Sequence, residues 1–136
     1  MIATVSTVKD TLANVQRFVR GNLAGGVDHM VILLDGPDPE VEEWLAGQDH
    51  VTHVVADDAW WGRRPPNIND RQRLGANLVK AVLTVVPGVD WLFHVDADEI
   101  CQIDRAAIAT VPPSYDAVRP AARATPRSSP PRLAAS

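Results

Sequence analysis

The run HMVILLD at 29–35 holds five consecutive apolar residues between a histidine and an aspartate. It is too short for a buried helix and has no alternation, the pattern of a central parallel strand covered on both faces. A chain containing such a strand must supply helices to cover it, and the flanking segments do. IATVSTV at 2–8 is a second, β-branched strand. After it the period changes: Leu12, Val15, Val19 and Leu23 fall on one helical face with Phe18 beside them, Asp10 is the expected N-cap, and Gly25-Gly26 closes the helix. In GPDPE, Asp38 is the N-cap and Pro39 the first helical residue of a short helix, PEVEEWLAG.

HVTHVVA at 50–56 reads as a third strand, and DDAWWGRRPPNIN as a loop. Asn69 or Asp70 then caps the long helix DRQRLGANLVKAVLTVV, whose expected buried stripe is Leu74, Leu78, Val82 and Val85. Gly75 weakens that helix by about 1 kcal/mol relative to Ala. Pro87-Gly88 ends it, and DWLFHV at 90–95 is the fourth strand. The order β-α-β-α-β-α-β predicts an α/β, Rossmann-like, doubly wound parallel sheet, because each crossover must return right-handed.

Charge divides the chain. Residues 1–110 carry nine basic and sixteen acidic side chains; residues 111–136 carry four Arg and one Asp and hold six of the eleven prolines. The first stretch is expected to be the folded domain. The second, poor in groups that can offset ordering entropy, is expected to be a disordered tail. The overall net charge of −4 argues against a nucleic-acid binder. No apolar run reaches the ~18 residues of a membrane span, and MIATVSTVKD has no signal-peptide pattern. With a single cysteine, Cys101, these features suit the cytoplasm.

Ligands of doubly wound sheets bind beyond the carboxyl ends of the strands. That rim collects Thr7 and Lys9, Asp35, Asp57 and Asp58, and finally Asp96 and Asp98 from WLFHVDADEI. In an extended segment side chains two apart share a face, so Asp96 and Asp98 are expected to point the same way, with Ala97 opposite, and to repel unless a cation or a shared proton intervenes. Oxygen ligands favour Mg²⁺ or Mn²⁺, and one Asp pair holds such an ion loosely, so the metal is expected to arrive with a phosphorylated ligand. The plainer reading is a solvated acidic turn. Lys9 is solvated or reaches a phosphate, and Asp35-Gly36 is a turn or a binding position. Arg71 and Arg73 either face the site or pair with Asp70 and nearby Glu. Trp60 and Trp61 cover a bound ligand or, the preferred reading, cap the core edge; His94 is a hydrogen-bonded core residue, Cys101 is a small buried hydrophobe, and Glu99 orients a metal-bound water or is a surface or supporting acid.

Three segments together resemble the family 2-like glycosyltransferases of GT-A fold, in the subgroup whose metal motif reads D-A-D-E. They are VKDTLANVQRFVRGNLAGGVDH at 8–29, ILLDGPDPE at 32–40 and RQRLGANLVKAVLTVVPGVDWLFHVDADE at 71–99. The resemblance implies a protein that binds a nucleoside-diphosphate sugar through Mn²⁺ or Mg²⁺ for transfer to an acceptor hydroxyl. By it, Asp98 is the direct metal ligand, Asp96 sits near ribose and metal, and Asp35 contacts the nucleoside. Thr7 lines the nucleotide pocket and Arg71 lies near the diphosphate. Asp10 stands where the family usually has Asn, and Pro37 where it has Ser.

In that family the catalytic base and acceptor surface follow the metal motif, and residues 101–136 nominate no base. The expectation is a donor-binding half from a truncated or frame-shifted chain. The alternative is an inactive remnant or a non-catalytic nucleotide-binding or interaction domain. A haloacid-dehalogenase-like phosphatase also uses D-x-D, but on its first strand; here the motif follows the fourth.

Overall fold

The computed structural model describes residues 1–112 and the backbone of 122–124. Its elements, in chain order, are β1 (Ile2–Val8), α1 (Leu12–Ala24), β2 (His29–Leu34), α2 (Pro39–Ala46), β3 (Val51–Val55), α3 (Asp58–Trp61), α4 (Ile68–Leu83), β4 (Trp91–His94), β5 (Glu99–Cys101), α5 (Arg105–Ala109) and β6 (Ala122–Ala124). The first four strands form one sheet in the order β3-β2-β1-β4, and every neighbouring pair is parallel. β5 and β6 pair antiparallel as a separate ribbon. The expected α/β class and parallel sheet are therefore present. The expected disorder of 111–136 falls, beyond Val111, Pro112 and the backbone of β6, on residues outside those described.

The pleat divides β1 into two faces. Ile2 and Val8 join Met30, Ile32 and Leu34 of β2 in the main core, against Val15, Phe18 and Val19 of α1 and Val41 and Leu45 of α2. Val5 and Leu33, on the opposite face, meet Ala56 and Val79 in a smaller core that Trp61, Ala76 and Leu83 border. One face thus carries two helices and the other chiefly α4.

Local chemistry sets the helix ends. Asp38 caps α2 as expected, its carboxylate accepting from the Val41 amide at 3.3 Å with Pro39 at the first turn. The cap of α1 is Thr11 rather than Asp10: the Thr11 hydroxyl accepts from the Asn14 amide, while the Asp10 carboxylate takes the Thr11 amide and the Asn14 side chain. The cap of α4 is Asn67, earlier than the expected Asn69 or Asp70, with its side-chain oxygen on the Asn69 amide. The loop expected at 57–69 contains α3, capped by Asp57.

The expected buried stripe of α4 is wrong in phase. Leu74, Leu78, Val82 and Val85 are exposed, and the residues turned to the sheet are Arg71, Gly75 and Val79. Two contacts set that phase. Arg71 is drawn to Asp35. At Gly75 a Cβ would stand 2.5 Å from Leu33 Cδ1. Gly75 therefore lets helix and strand approach closely instead of merely weakening the helix.

A second close approach docks β5 on α1. The buried Asn22 amide donates to the carbonyls of Phe18 and Glu99, at 2.9 and 3.0 Å, and its oxygen accepts from the Cys101 amide at 2.9 Å. The Ile103 amide reaches the Gly25 carbonyl at 2.8 Å. Gly21 faces the Ile100 side chain and Gly25 the Cys101 carbonyl so closely that neither position has space for a Cβ.

Candidate functional site

At the carboxyl ends of β1, β2 and β3 a cavity of about 410 Å³ opens between Lys9, Asp35, Gly36, Pro37, Asp57, Asp58, Ala59 and Arg64. Most of the walls follow strands, Lys9 after β1, Asp35 and Gly36 after β2, and Asp57 after β3, while Asp58 and Ala59 belong to α3 and Arg64 to the loop behind it. Gly36 has a φ of 119°, a conformation that lets the chain turn away at once behind Asp35. Of the residues expected on the rim, Lys9, Asp35, Asp57 and Asp58 are brought together here.

Asp35 is the buried centre of the group. Arg71 grips it with two bonds, Nε to Oδ1 at 2.9 Å and Nη2 to Oδ2 at 3.0 Å, and Arg64 Nη2 adds a third to Oδ1 at 3.0 Å. Burial alone would push the Asp35 carboxyl up, but the hydrogen bonds and charges of Arg71 and Arg64 outweigh it and hold the pKa below its ordinary 3.8. Arg71 also spends Nη1 on the carbonyls of Pro65 and Pro66, at 2.8 and 3.0 Å, which fastens the cavity's loop wall to α4. Local sequence does not reveal this pairing of Asp35 with Arg64 and Arg71, because the partners lie 29 and 36 residues away. Arg73 pairs with Asp70 at 3.2 Å, as one of its two readings held.

Thr7 and Asp96 lie apart from that cavity's walls. Thr7 is half-buried on the α4 side of the sheet, near Gly75. The Val95 amide still donates to the Val5 carbonyl at 3.1 Å, so the ladder continues past β4 and Asp96 emerges beside the end of β1. β4 lies on the side of β1 opposite β2, so the strand order reverses at the β1–β4 boundary.

The Asp-Ala-Asp segment is not extended. The Glu99 amide donates to the Asp96 carbonyl at 2.9 Å and closes a turn over Ala97 and Asp98, so strand alternation does not place both carboxylates on one face. Among the described residues no group of three or more His, Cys, Asp and Glu is arranged to hold a metal ion. The oxygen donors have the chemistry of a Mg²⁺ or Mn²⁺ site, but no three of them converge as a ready-made one among the described residues. Burial first, then the charge of Asp96 and less that of Asp98, raises the Glu99 pKa above its ordinary 4.5, against an opposing backbone bond to Asp96.

His94, expected in the core, is 40 % exposed with its ring 3.9 Å from Asp96, at the end of the edge strand β4. Cys101 is buried as expected, and burial followed by the Glu99 charge pushes its thiol up to about 11. Trp61 borders the smaller core, whereas Trp60 is exposed. Trp60 joins Leu78, Val82 and Val86 around an apolar cavity of about 520 Å³ between α4 and the sheet.

Among the described residues no helix is long and apolar enough to cross a membrane. The fold and site define an α/β protein with a four-stranded parallel sheet and a polar cavity at its carboxyl edge. Compared with known families and with characterised proteins, the chain has no match.

Proposed function

We propose that the chain is a glycosyltransferase-like protein whose polar cavity binds a nucleoside-diphosphate sugar, the donor for transfer to an acceptor hydroxyl. The observation that carries this reading is the 410 Å³ cavity beyond β1–β3, walled by two cations and three carboxylates. Its volume lies within the range of small-molecule sites, and it opens beyond the carboxyl ends of parallel strands, the edge on which such sheets bind ligands. The resemblance of 8–29, 32–40 and 71–99 to family 2-like glycosyltransferases supports the choice of ligand. Because the Asp96–Asp98 turn offers no ready-made ion site, any Mn²⁺ or Mg²⁺ is proposed to arrive as its diphosphate complex.

Isothermal titration with a panel of nucleoside diphosphates, in Mn²⁺ and in EDTA, tests the proposal. Saturable binding in Mn²⁺, weakened by Asp98→Ala, is the expected result. Absence of saturation by every nucleoside diphosphate in both conditions overturns it. The exposed apolar stripe Leu74, Leu78 and Val82 favours a second reading, a nucleotide-binding domain that works against a partner surface and transfers nothing itself. Binding of donor without glycosyl transfer to any acceptor selects that reading.

A further inference from the structure

The two arginines that meet Asp35 are chemically unequal. A guanidinium has five N–H donors. Arg71 directs two at Asp35 and one each at the Pro65 and Pro66 carbonyls, and its side chain is 10 % exposed. Its fork is filled by the protein, so little of it remains for a ligand. Arg64 commits a single N–H to Asp35, is 37 % exposed, and lines the polar cavity. One carboxylate set against two guanidinium groups leaves the triad with an excess of positive charge, and the excess faces the cavity on Arg64. Lys9, exposed on the turn after β1, lines the same cavity. The remaining walls are acidic, from Asp57 and Asp58, and Asp57 already caps α3 through the Trp60 amide at 2.9 Å.

We infer that Arg64 and Lys9 form the anion-binding pair that takes the diphosphate of the ligand, while Arg71 serves as the positioning residue that holds Asp35 and, through it, Arg64. The inference rests on the nucleoside-diphosphate reading and deepens it. It moves the phosphate contact from the arginine that the sequence resemblance favours to one seven residues earlier. The planar fork of Arg64 suits two phosphate oxygens at once, and Lys9 adds a point charge. Asp57 and Asp58 on the other side leave acceptors for the hydroxyls of a sugar.

Titration calorimetry with two probes, inorganic pyrophosphate without metal and the nucleoside diphosphates with Mn²⁺, tests the assignment on wild type, Arg64→Gln, Arg64→Lys and Lys9→Gln. Unfolding curves without ligand check that each variant folds. Arg64→Gln is expected to weaken both probes by about tenfold to a hundredfold, as loss of a charged hydrogen bond does. Arg64→Lys recovers part of that loss, and Lys9→Gln costs less and in a salt-dependent way. If folded Arg64→Gln binds both probes as tightly as wild type, the assignment is overturned while the nucleotide reading stands. If wild type binds pyrophosphate with this Arg64 dependence but no nucleoside diphosphate, the assignment stands and the nucleotide reading falls. If wild type binds neither probe, both are overturned.

Discussion

Gly25→Ala isolates the contact that docks β5 onto α1. Gly25 has φ −76° and ψ −2°, ordinary right-handed values, so alanine suits its backbone. What forbids it is space: an added Cβ would sit 3.2 Å from the Cys101 carbonyl carbon and far inside contact with the oxygen. The obstacle is main chain, which cannot rotate aside, so β5 must lift. Lifting it breaks the bonds from the Asn22 amide to Glu99, from the Cys101 amide to Asn22, and from the Ile103 amide to Gly25. At about 1 kcal/mol each, with more for a buried amide left unpaired, the loss is on the order of 3 kcal/mol, and the melting temperature falls by roughly 12–24 °C.

Gly47 supplies the control. It caps α2 with nearly the same dihedrals, φ −86° and ψ −2°, but a Cβ there meets nothing closer than 3.6 Å. Gly47→Ala should be neutral or gain up to about 1 kcal/mol by restricting the unfolded chain. Thermal melts by circular dichroism, with labelling of the Cys101 thiol, measure both variants. A Gly25→Ala protein that melts at or above wild type, with Cys101 as protected as before, refutes the argument.

Arg71→Met leaves Asp35 buried with only half-exposed Arg64, and should cost about 3–5 kcal/mol in urea unfolding at pH 7. Because the folded Asp35 pKa is depressed, the stability it contributes is present above its ordinary 3.8 and is lost as pH falls through the lower folded value; Asp35→Asn should abolish that part of the acid transition. Glu99 has the opposite sign: its raised pKa means the folded state disfavours its charge, so Glu99→Gln should raise the melting temperature at pH 7 and change nothing at pH 3. The Cys101 thiol, pushed up to about 11, should resist alkylation at pH 8 until the protein unfolds, and equal rates in native and denatured protein would contradict its burial.

The strands and the α2 cap were legible because their causes are local. A five-residue apolar run without alternation suits an interior strand, and Asp38-Pro39 is a strong start signal for a helix. The rotation of α4 was not legible. Leu74, Leu78 and Val82 repeat with the correct period, but which face turns inward depends on Leu33 approaching Gly75 and on Asp35 capturing Arg71, both contacts across the sheet. The site divides in the same way. Lys9, Asp35, Asp57 and Asp58 follow strand ends and were expected on the rim, whereas Arg64, inside the segment read only as a loop, gets its place from Asp35 and the cavity. Alternation misled at Asp96 and Asp98, because a backbone bond from Glu99 bends that segment into a turn. Asn22, in the last turn of α1, gave no sign that it would hold β5.

The hollow between α4 and the sheet bears on how the protein is handled. Leu78, Val82, Val86 and Trp60 surround it with hydrocarbon in the folded state. Environment-sensitive dyes that fluoresce on greasy surfaces should therefore glow on native protein, and a dye-reported melt would start from a bright baseline and dim the transition. Intrinsic emission from Trp44 and Trp91, which pack against the main core, is the sounder reporter of unfolding.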